Sequence, residues 1–298
     1  MTQTSTKRAR YSFGGDEFLF VEFDAEMNLD AHFRSTLVAR SLHEYRVDGV
    51  TEICPANASL LIRFNPDVLE PEALKQQVQD IEDTVIQDSG VSIETRIIEV
   101  PVWYDDPVTA EVGTRFREGF HQDPNSTDLE YAARVNDLEG PQDFISKHHQ
   151  SPWLVTMVGF VAGLPFMFQL VEREQQLEVP KYLSPRTDTA KLTVGHGGCF
   201  AVIYSVRGAG GYQMFGLAAA PIYNPELQGT EQEENMIVFK PGDIVKFKSV
   251  DEAEYNEIQK QVEAGTFKFR EVPFTFDVDR ALNEGSGYNS EILEALNG

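Results

Sequence analysis

WLVTMVGFVAGLPFMF, Trp153–Phe168, sets two apolar runs on either side of Gly159 and Gly163, with a proline at position 165. Glycine permits backbone angles and close approaches that other residues forbid. Its centre, GFVAGLPFM, is therefore a strand turning a corner in a core or the floor of a ligand pocket. The surrounding sequence repeats the pattern: KLTVGHGG, CFAVIYSV, YQMFGLAAA, MIVFKPGDIVKFKSV and FREVPFTFDV are short apolar or alternating runs cut by Gly and Pro. Several strands with tight turns and little helix imply a β-barrel or sandwich. One helix, DEAEYNEIQKQVEAG, interrupts them and stops at a glycine.

Upstream the pattern is different. YSFGGDEFLFVEF (11–23) reads as a strand, NLDAHFRSTLVARSLHEY as a helix capped by Asn28 or Asp30, and GVTEICPANASLLIRFNP as two strands joined by a turn at Pro55 to Ala58. EPEALKQQVQDIEDTVIQD places Pro71 in the first turn of a second helix, and SIETRIIEVPVWYD is a further strand. This is the ferredoxin-like order β-α-β-β-α-β, an α+β domain over 1–105. DPVTAEVGTRFREGFHQDPNSTD then reads as a connection, and DLEYAARVNDLEGPQDFISKHH as two short helices broken at Gly140-Pro141. The second domain, 106–298, comprises this helical connection and the mostly β part.

Composition excludes several classes. A formal net charge of −23 opposes nonspecific attraction to nucleic acid or anionic membrane. No apolar run is a clean membrane span, and MTQTSTKRAR lacks the apolar stretch of a secretory signal, so a soluble, cytoplasmic protein is expected. Cys54 and Cys199 lie in no CxxC or Cys/His cluster and are read as small buried hydrophobes. RGAGGY lacks the Lys-Ser/Thr of a phosphate loop, and there is no HExxH, EF-hand or GxSxG motif. No cofactor or metal is expected in this chain, and no complete catalytic apparatus is visible.

The order of motifs resembles the KipI family, which includes subunit 1 of allophanate hydrolase and one of the subunits of 5-oxoprolinase, and is similar to part of the carboxyltransferase domain of urea carboxylase. YSFGGDEFLFVEF, the GVTEICPANASLLIRFNP hairpin, VPVWYDD, the DLEYAA helix and His148 occur in the family's order. GFVAGLPFM corresponds to its GF-x-PGFPYL loop, Pro180-Lys181 and Pro185-Arg186 to its two Pro-Arg dipeptides, Gly208–Tyr212 to its SPGGW segment, and Pro241–Phe247 to its PGD-x-V-x-F ending. The resemblance implies a small α+β domain followed by a cyclophilin-like barrel that works with a second barrel-containing subunit, in a complex with further subunits, on a small-molecule substrate. The complex would be an ATP-dependent amidohydrolase or carboxylase; an accessory carboxylase subunit for a less polar substrate and a KipI-like regulatory binder are the alternatives.

The resemblance also assigns site residues. His148 aligns with the family's histidine and is the candidate catalytic group, with a surface or capping role as the alternative. Phe160, Gly163 and Pro165 of the loop, Arg186, and Gly210, Gly211 and Tyr212 are candidate substrate-binding residues. Arg186 can hold a carboxylate or phosphate bidentately, or pair with an acidic side chain. Gly210 and Gly211 suit a tight turn or the close approach of a ligand. His196, in GHGG, reads as a turn histidine. The chain departs from the family where Ala162-Gly163-Leu164 replace PGF, where Thr189–Val194 replace V-P-x-G-S-V, and where Phe200-Ala201-Val202 stand for Gln-Thr-Gly. Polar groups that could orient a substrate have become apolar, so the substrate is less polar or the site performs no chemistry.

Overall fold

Gly15 takes a left-handed backbone (φ 60°), and the aromatic run at 11–23 turns there into a hairpin, β1 (Arg10–Gly14) and β2 (Phe18–Glu22). The computed structural model describes residues 8–87 and 91–296. Asn28 caps α1 (Leu29–Tyr45), its Oδ1 accepting from Ala31 N at 2.8 Å. β3 (Val50–Ala56) and β4 (Ser59–Phe64) form the second hairpin, and α2 (Pro71–Gln87) begins on its proline. The antiparallel sheet runs β1-β2-β4-β3. Its inward residues Leu19, Val21, Leu60 and Ile62 join Val38, Leu42, Leu74 and Val78 in one core.

The element order is thus β-β-α-β-β-α, which corrects the ferredoxin-like order. The opening run divides in two, and the strand assigned to close the sheet, β5 (Ser92–Tyr104), pairs elsewhere. Residues 8–92 with Asp277–Asn283 make one compact unit, and Ile93–Phe276 with 284–296 make the other. The division lies one strand before the boundary expected at 105.

In the second unit the stretch expected as a plain connection holds α3 (Pro107–Arg115), because Asp106 accepts from the backbone of Val108 and Thr109 at 2.8 and 2.9 Å. α4 (Asp128–Val135) and α5 (Pro141–Gln150) follow, broken at Gly140-Pro141 as expected. The strands are β6 (Pro152–Val158), β7 (Pro165–Gln169), β8 (Arg186–Thr189), β9 (Thr193–Gly197), β10 (Phe200–Ile203), β11 (Gly208–Gly210), β12 (Gln213–Ala218) and β13 (Ile244–Val250). Then come α6 (Glu252–Glu263), β14 (Arg270–Asp277), α7 (Val278–Asn283) and α8 (Ser286–Ala295). α7 belongs to the first unit.

Seven strands close a ring in the order β12-β9-β10-β7-β6-β13-β5, and β5 returns to β12 through Val102↔Ala218, Trp103↔Leu217 and Tyr104↔Gly216. An odd ring cannot alternate direction all the way round. The unavoidable parallel pair is β5 with β13, in register from Ile97↔Ile244 to Trp103↔Val250. β14 extends the sheet from β5, while β8 and β11 pair as a separate two-stranded ribbon. The barrel interior is filled by Val100, Val102, Trp153, Val155, Met167, Val194, Ala201, Phe215, Val245 and Phe247.

Gly216 makes the closure possible, since a Cβ there would overlap the carbonyl oxygen of Trp103 and lie 2.9 Å from Tyr104 Cα. Gly216→Ala is expected to destabilise the protein by about 1–3 kcal/mol, the usual range for overpacking. Gly208→Ala, at a site with nothing within 4 Å, should leave the denaturation midpoint nearly unchanged; equal midpoints for the two variants would show that closure does not depend on Gly216.

Candidate functional site

The GFVAGLPFM loop is the β6–β7 connection, tied by Gly159 N donating to Leu164 O at 3.0 Å and Leu164 N to Val161 O at 3.2 Å. Gly163 is left-handed (φ 73°), and a Cβ on it would sit 2.9 Å from Tyr223 Cβ, so both backbone and space demand glycine. Pro165 is buried at the start of β7, opposite Val158. Phe160 is left-handed as well (φ 71°) and exposed, an unfavourable conformation for a bulky residue. Val161, Leu164 and Phe166 pack with Val202, Tyr204 and Tyr212 in one cluster, with the Phe166 and Tyr212 rings 6.2 Å apart. Loop and Gly-rich segment therefore meet, through packed side chains.

The glycines of that segment do not make the expected tight turn. Gly210 lies in β11 opposite Arg186, with no left-handed angle, and a methyl there would overlap the Tyr204 phenol. Gly211 has a nearest neighbour at 3.9 Å from such a methyl, and its carbonyl accepts from Tyr182 N at 2.8 Å. Close approach, at Gly210, is the structural requirement.

Arg186 leads into a polar network that the sequence did not reveal. Its guanidinium lies over the Tyr182 ring at 4.3 Å. The Tyr182 hydroxyl is shared by both oxygens of Asp128, at 2.7 and 2.9 Å, and burial and this carboxylate push its pKa up. Asp128 also accepts from Arg117 Nη2 and from Met214 N, each at 2.7 Å. With four contacts on two oxygens it is a structural anchor. His121 stacks edge-on to Tyr182 at 4.7 Å. Its Nδ1 accepts from Asp123 N at 2.8 Å, so Nε2 carries the proton and donates to Gln213 Oε1 at 2.8 Å. Burial first of all lowers the pKa of this imidazole. Beside the network is a cavity of ≈ 300 Å³ lined by Asp105, Thr109, Gly113, Arg117, Asp128 and Met214 among others. None of the sequence-assigned site residues lines it. DLEYAA had marked a helix, but nothing in the sequence showed that its aspartate ties three elements together.

His148 lies in the barrel core, fully buried, with neither the surface nor a capping position available to it. It stacks on Phe247 at 4.8 Å, and its Nδ1 is 2.8 Å from the Tyr104 hydroxyl. Burial, then the nearby His196 and His149, hold its pKa well below the usual imidazole value. A proton-transferring role requires a route to solvent or substrate that this conformation does not provide. His196 is a strand residue of β9 and not a turn histidine; its Nε2 faces the carbonyls of Leu177 and Gly198 at 3.0 and 3.1 Å, and burial lowers its pKa to about 4. The cysteines differ from expectation too. Cys54 is exposed and Cys199 is half-buried, its thiol pKa raised by burial.

Against this geometry, residues 9–232 match the model of the carboxyltransferase domain, subdomain C and D. The chain belongs to the family of carboxyltransferase-domain subdomains C and D. This carboxyltransferase-type chain is 28% identical over 276 residues to urea amidolyase of Lachancea kluyveri, covering 91% of the chain and 15% of that protein. It is 26% identical over 257 residues to a 5-oxoprolinase subunit of Bacillus subtilis, covering 83% of the chain and 95% of the relative. Its fold matches the crystal structure of the K. lactis urea amidolyase with a TM-score of 0.82 at 24% identity, over 97% of the chain and 18% of that structure. The chain thus spans a small fraction of the amidolyases and nearly the whole of the oxoprolinase subunit. Among the described residues no helix is long and apolar enough to cross a membrane, and no group of three or more His, Cys, Asp or Glu could hold a metal ion.

The carboxyltransferase-type barrel keeps His148 and His196 neutral, which couples its stability to pH. Their folded pKa values lie below the unfolded value of about 6.5, so the unfolded chain binds the extra protons. The stabilisation is complete above about pH 6.5 and is lost as pH falls through the folded values, at up to roughly 1.4 kcal/mol per pH unit for each histidine. Melting temperatures measured from pH 7 to 4 should fall accordingly, and His148→Phe should flatten the slope. At pH 7 the same variant strands the Tyr104 hydroxyl at a cost of about 1–3 kcal/mol, which Tyr104→Phe/His148→Phe should recover; additive losses in the double variant would rule out the pairing.

Proposed function

We propose that this chain is a non-self-sufficient subunit of a heteromeric ATP-dependent amidohydrolase or carboxylase, contributing the C and D subdomains of its carboxyltransferase-type module. The observation that carries this reading is the match over 83% of the chain and 95% of the B. subtilis 5-oxoprolinase subunit, while the same module is 15% of a urea amidolyase. A module found both as a separate subunit and as a segment of a multidomain chain works with other parts. Its partners in this reading are a second barrel-containing subunit and a subunit that handles ATP, its ligand is a small molecule, and it acts in the cytoplasm. The sequence carries no phosphate-binding loop and no GxSxG nucleophile motif of its own.

A second reading, an accessory subunit of an ATP-dependent carboxylase acting on a less polar substrate, is favoured by one observation. Phe200, Ala201 and Val202 lie in β10, with Ala201 in the barrel core and Val202 in the cluster with the loop residues Val161 and Leu164. They offer no polar side chain to a substrate.

The purified chain should show no ATP-dependent turnover of 5-oxoproline, urea or allophanate. Affinity purification from the native source should recover it with further subunits, and the assembly should hydrolyse ATP in response to its substrate. Robust turnover by the isolated chain would overturn the proposal, and the substrate of the assembly decides between the two readings.

A further inference from the structure

The sheet β1-β2-β4-β3 uses its two faces differently. Leu19, Val21, Leu60 and Ile62 point inward and share one core with α1 and α2. Side chains alternate along a strand, so Ser12, Phe20, Leu61 and Cys54 stand on the opposite face, where the register joins them into one row across all four strands. Phe20 and Leu61 are each 37% exposed, and Cys54 is exposed beside them. Phe18 extends the apolar surface into the next row, with the Arg63 guanidinium 5.8 Å from its ring. A contiguous exposed apolar surface rimmed by polar groups marks an interaction site.

The charges around the row say what covers it. The chain carries 48 acidic against 25 basic residues, whereas this face carries three glutamates against two arginines. Arg10 pairs with Glu22 on one side of the row, and Arg63 with Glu17 at 2.9 Å and Glu52 at 3.7 Å on the other. Each glutamate of the face already has its guanidinium, so a basic partner gains little here and an identical face is hardly repelled. Strand-to-strand addition is discouraged at both edges of the sheet: β3 carries Pro55, which has no N–H, and β1 is five residues long and starts with Arg10.

We propose that this face docks a second copy of the chain, the two sheets packing face to face about a twofold axis with Phe20 and Leu61 at the centre. A twofold contact needs a self-complementary patch, and an apolar row flanked on both sides by charges of both signs meets that need. Aligned sheet-on-sheet packing is an ordinary way to bury such rows. The inference goes beyond the function proposed above and does not rest on it; any assembly that contains this chain then holds it in pairs.

The test is sedimentation equilibrium of the full chain from about 1 to 200 µM, which should show a monomer–dimer equilibrium. Added salt should tighten the dimer roughly tenfold, because it screens the repulsion between two strongly acidic chains while leaving the apolar contact in place. Phe20→Glu and Leu61→Glu should each weaken association at least about tenfold, with circular dichroism and melting curves confirming that the exposed substitutions leave the fold intact. A second measurement leaves the face unaltered: in Cys199→Ser, maleimide labelling of Cys54 should slow as protein concentration rises through the dimer transition. The proposal is overturned by a chain that stays monomeric over this range, by a dimer that salt weakens or that both glutamate variants retain, or by Cys54 labelling that association does not slow. It is equally overturned if Leu61→Glu loses other subunits from the native assembly while the unaltered chain is monomeric, which would give the face to a different partner.

Discussion

The barrel depends on one close approach, the backbone of Gly216 against the carbonyl of Trp103, where β12 meets β5 and the ring closes. Much of the surrounding structure fixes β12 in place. Gln213 at its start is held by His121, and Met214 N is bound by Asp128 from the first turn of α4. Leu217 and Ala218 complete the pairing with β5. A strand bound by a side chain at two successive residues and zipped at its far end has little freedom to slip register. This matters because a one-residue slip would exchange its core and outer faces.

The buried polar groups of this unit fall into two kinds. Asp128, His121, Gln213 and Tyr182 satisfy one another, and each hydrogen bond joins segments distant in the chain, so they specify the geometry at little net cost. Arg186 touches the same network through the Tyr182 ring and lies beside the Tyr204 phenol, and among the described residues it is in no ion pair. His148 stands between the two kinds, bonded at Nδ1 to Tyr104 and without a partner at Nε2. Neutrality makes that position tolerable for an imidazole. A guanidinium has no neutral form to retreat to.

Local features were legible in the sequence and pairings were not. The Asn28 cap, Pro71, the Gly140-Pro141 break and the alternating runs after Pro152 act within a few residues, and they marked α1, α2, α4, α5 and the barrel strands. The membership of β5 depends on β12 and β13, more than a hundred residues away, and an isolated run of apolar residues carries no record of its partner. Gly14-Gly15 lay in plain sight, but a glycine pair inside an aromatic run fits a kinked strand as well as a hairpin. The site shows the same limit. Arg186 and the loop were found by motif order, whereas Asp128 became visible only through partners 54 and 86 residues away. His148 was singled out by motif order as the candidate catalytic group, with a surface role as the alternative, because a histidine flanked by Lys147, His149 and Gln150 looks like a surface residue until α5 is packed on the barrel.

The parallel pairing of β5 with β13 also has a kinetic side. Arg96 and Asp243 at its start are 147 residues apart in sequence, so the ring cannot close until most of the chain has been made. Contacts of such long separation slow folding, because loop-closure entropy is spent before any pairing is gained. The sheet β1–β4 pairs no strand beyond Phe64 and its core is completed by α2, so it can form while the barrel strands are still emerging from the ribosome. During that interval β5 and β6 are unpaired apolar strands, among the most aggregation-prone surfaces a nascent chain can present. The high acidic charge of this chain then has a use during synthesis as well as in the folded state, keeping incomplete barrels apart.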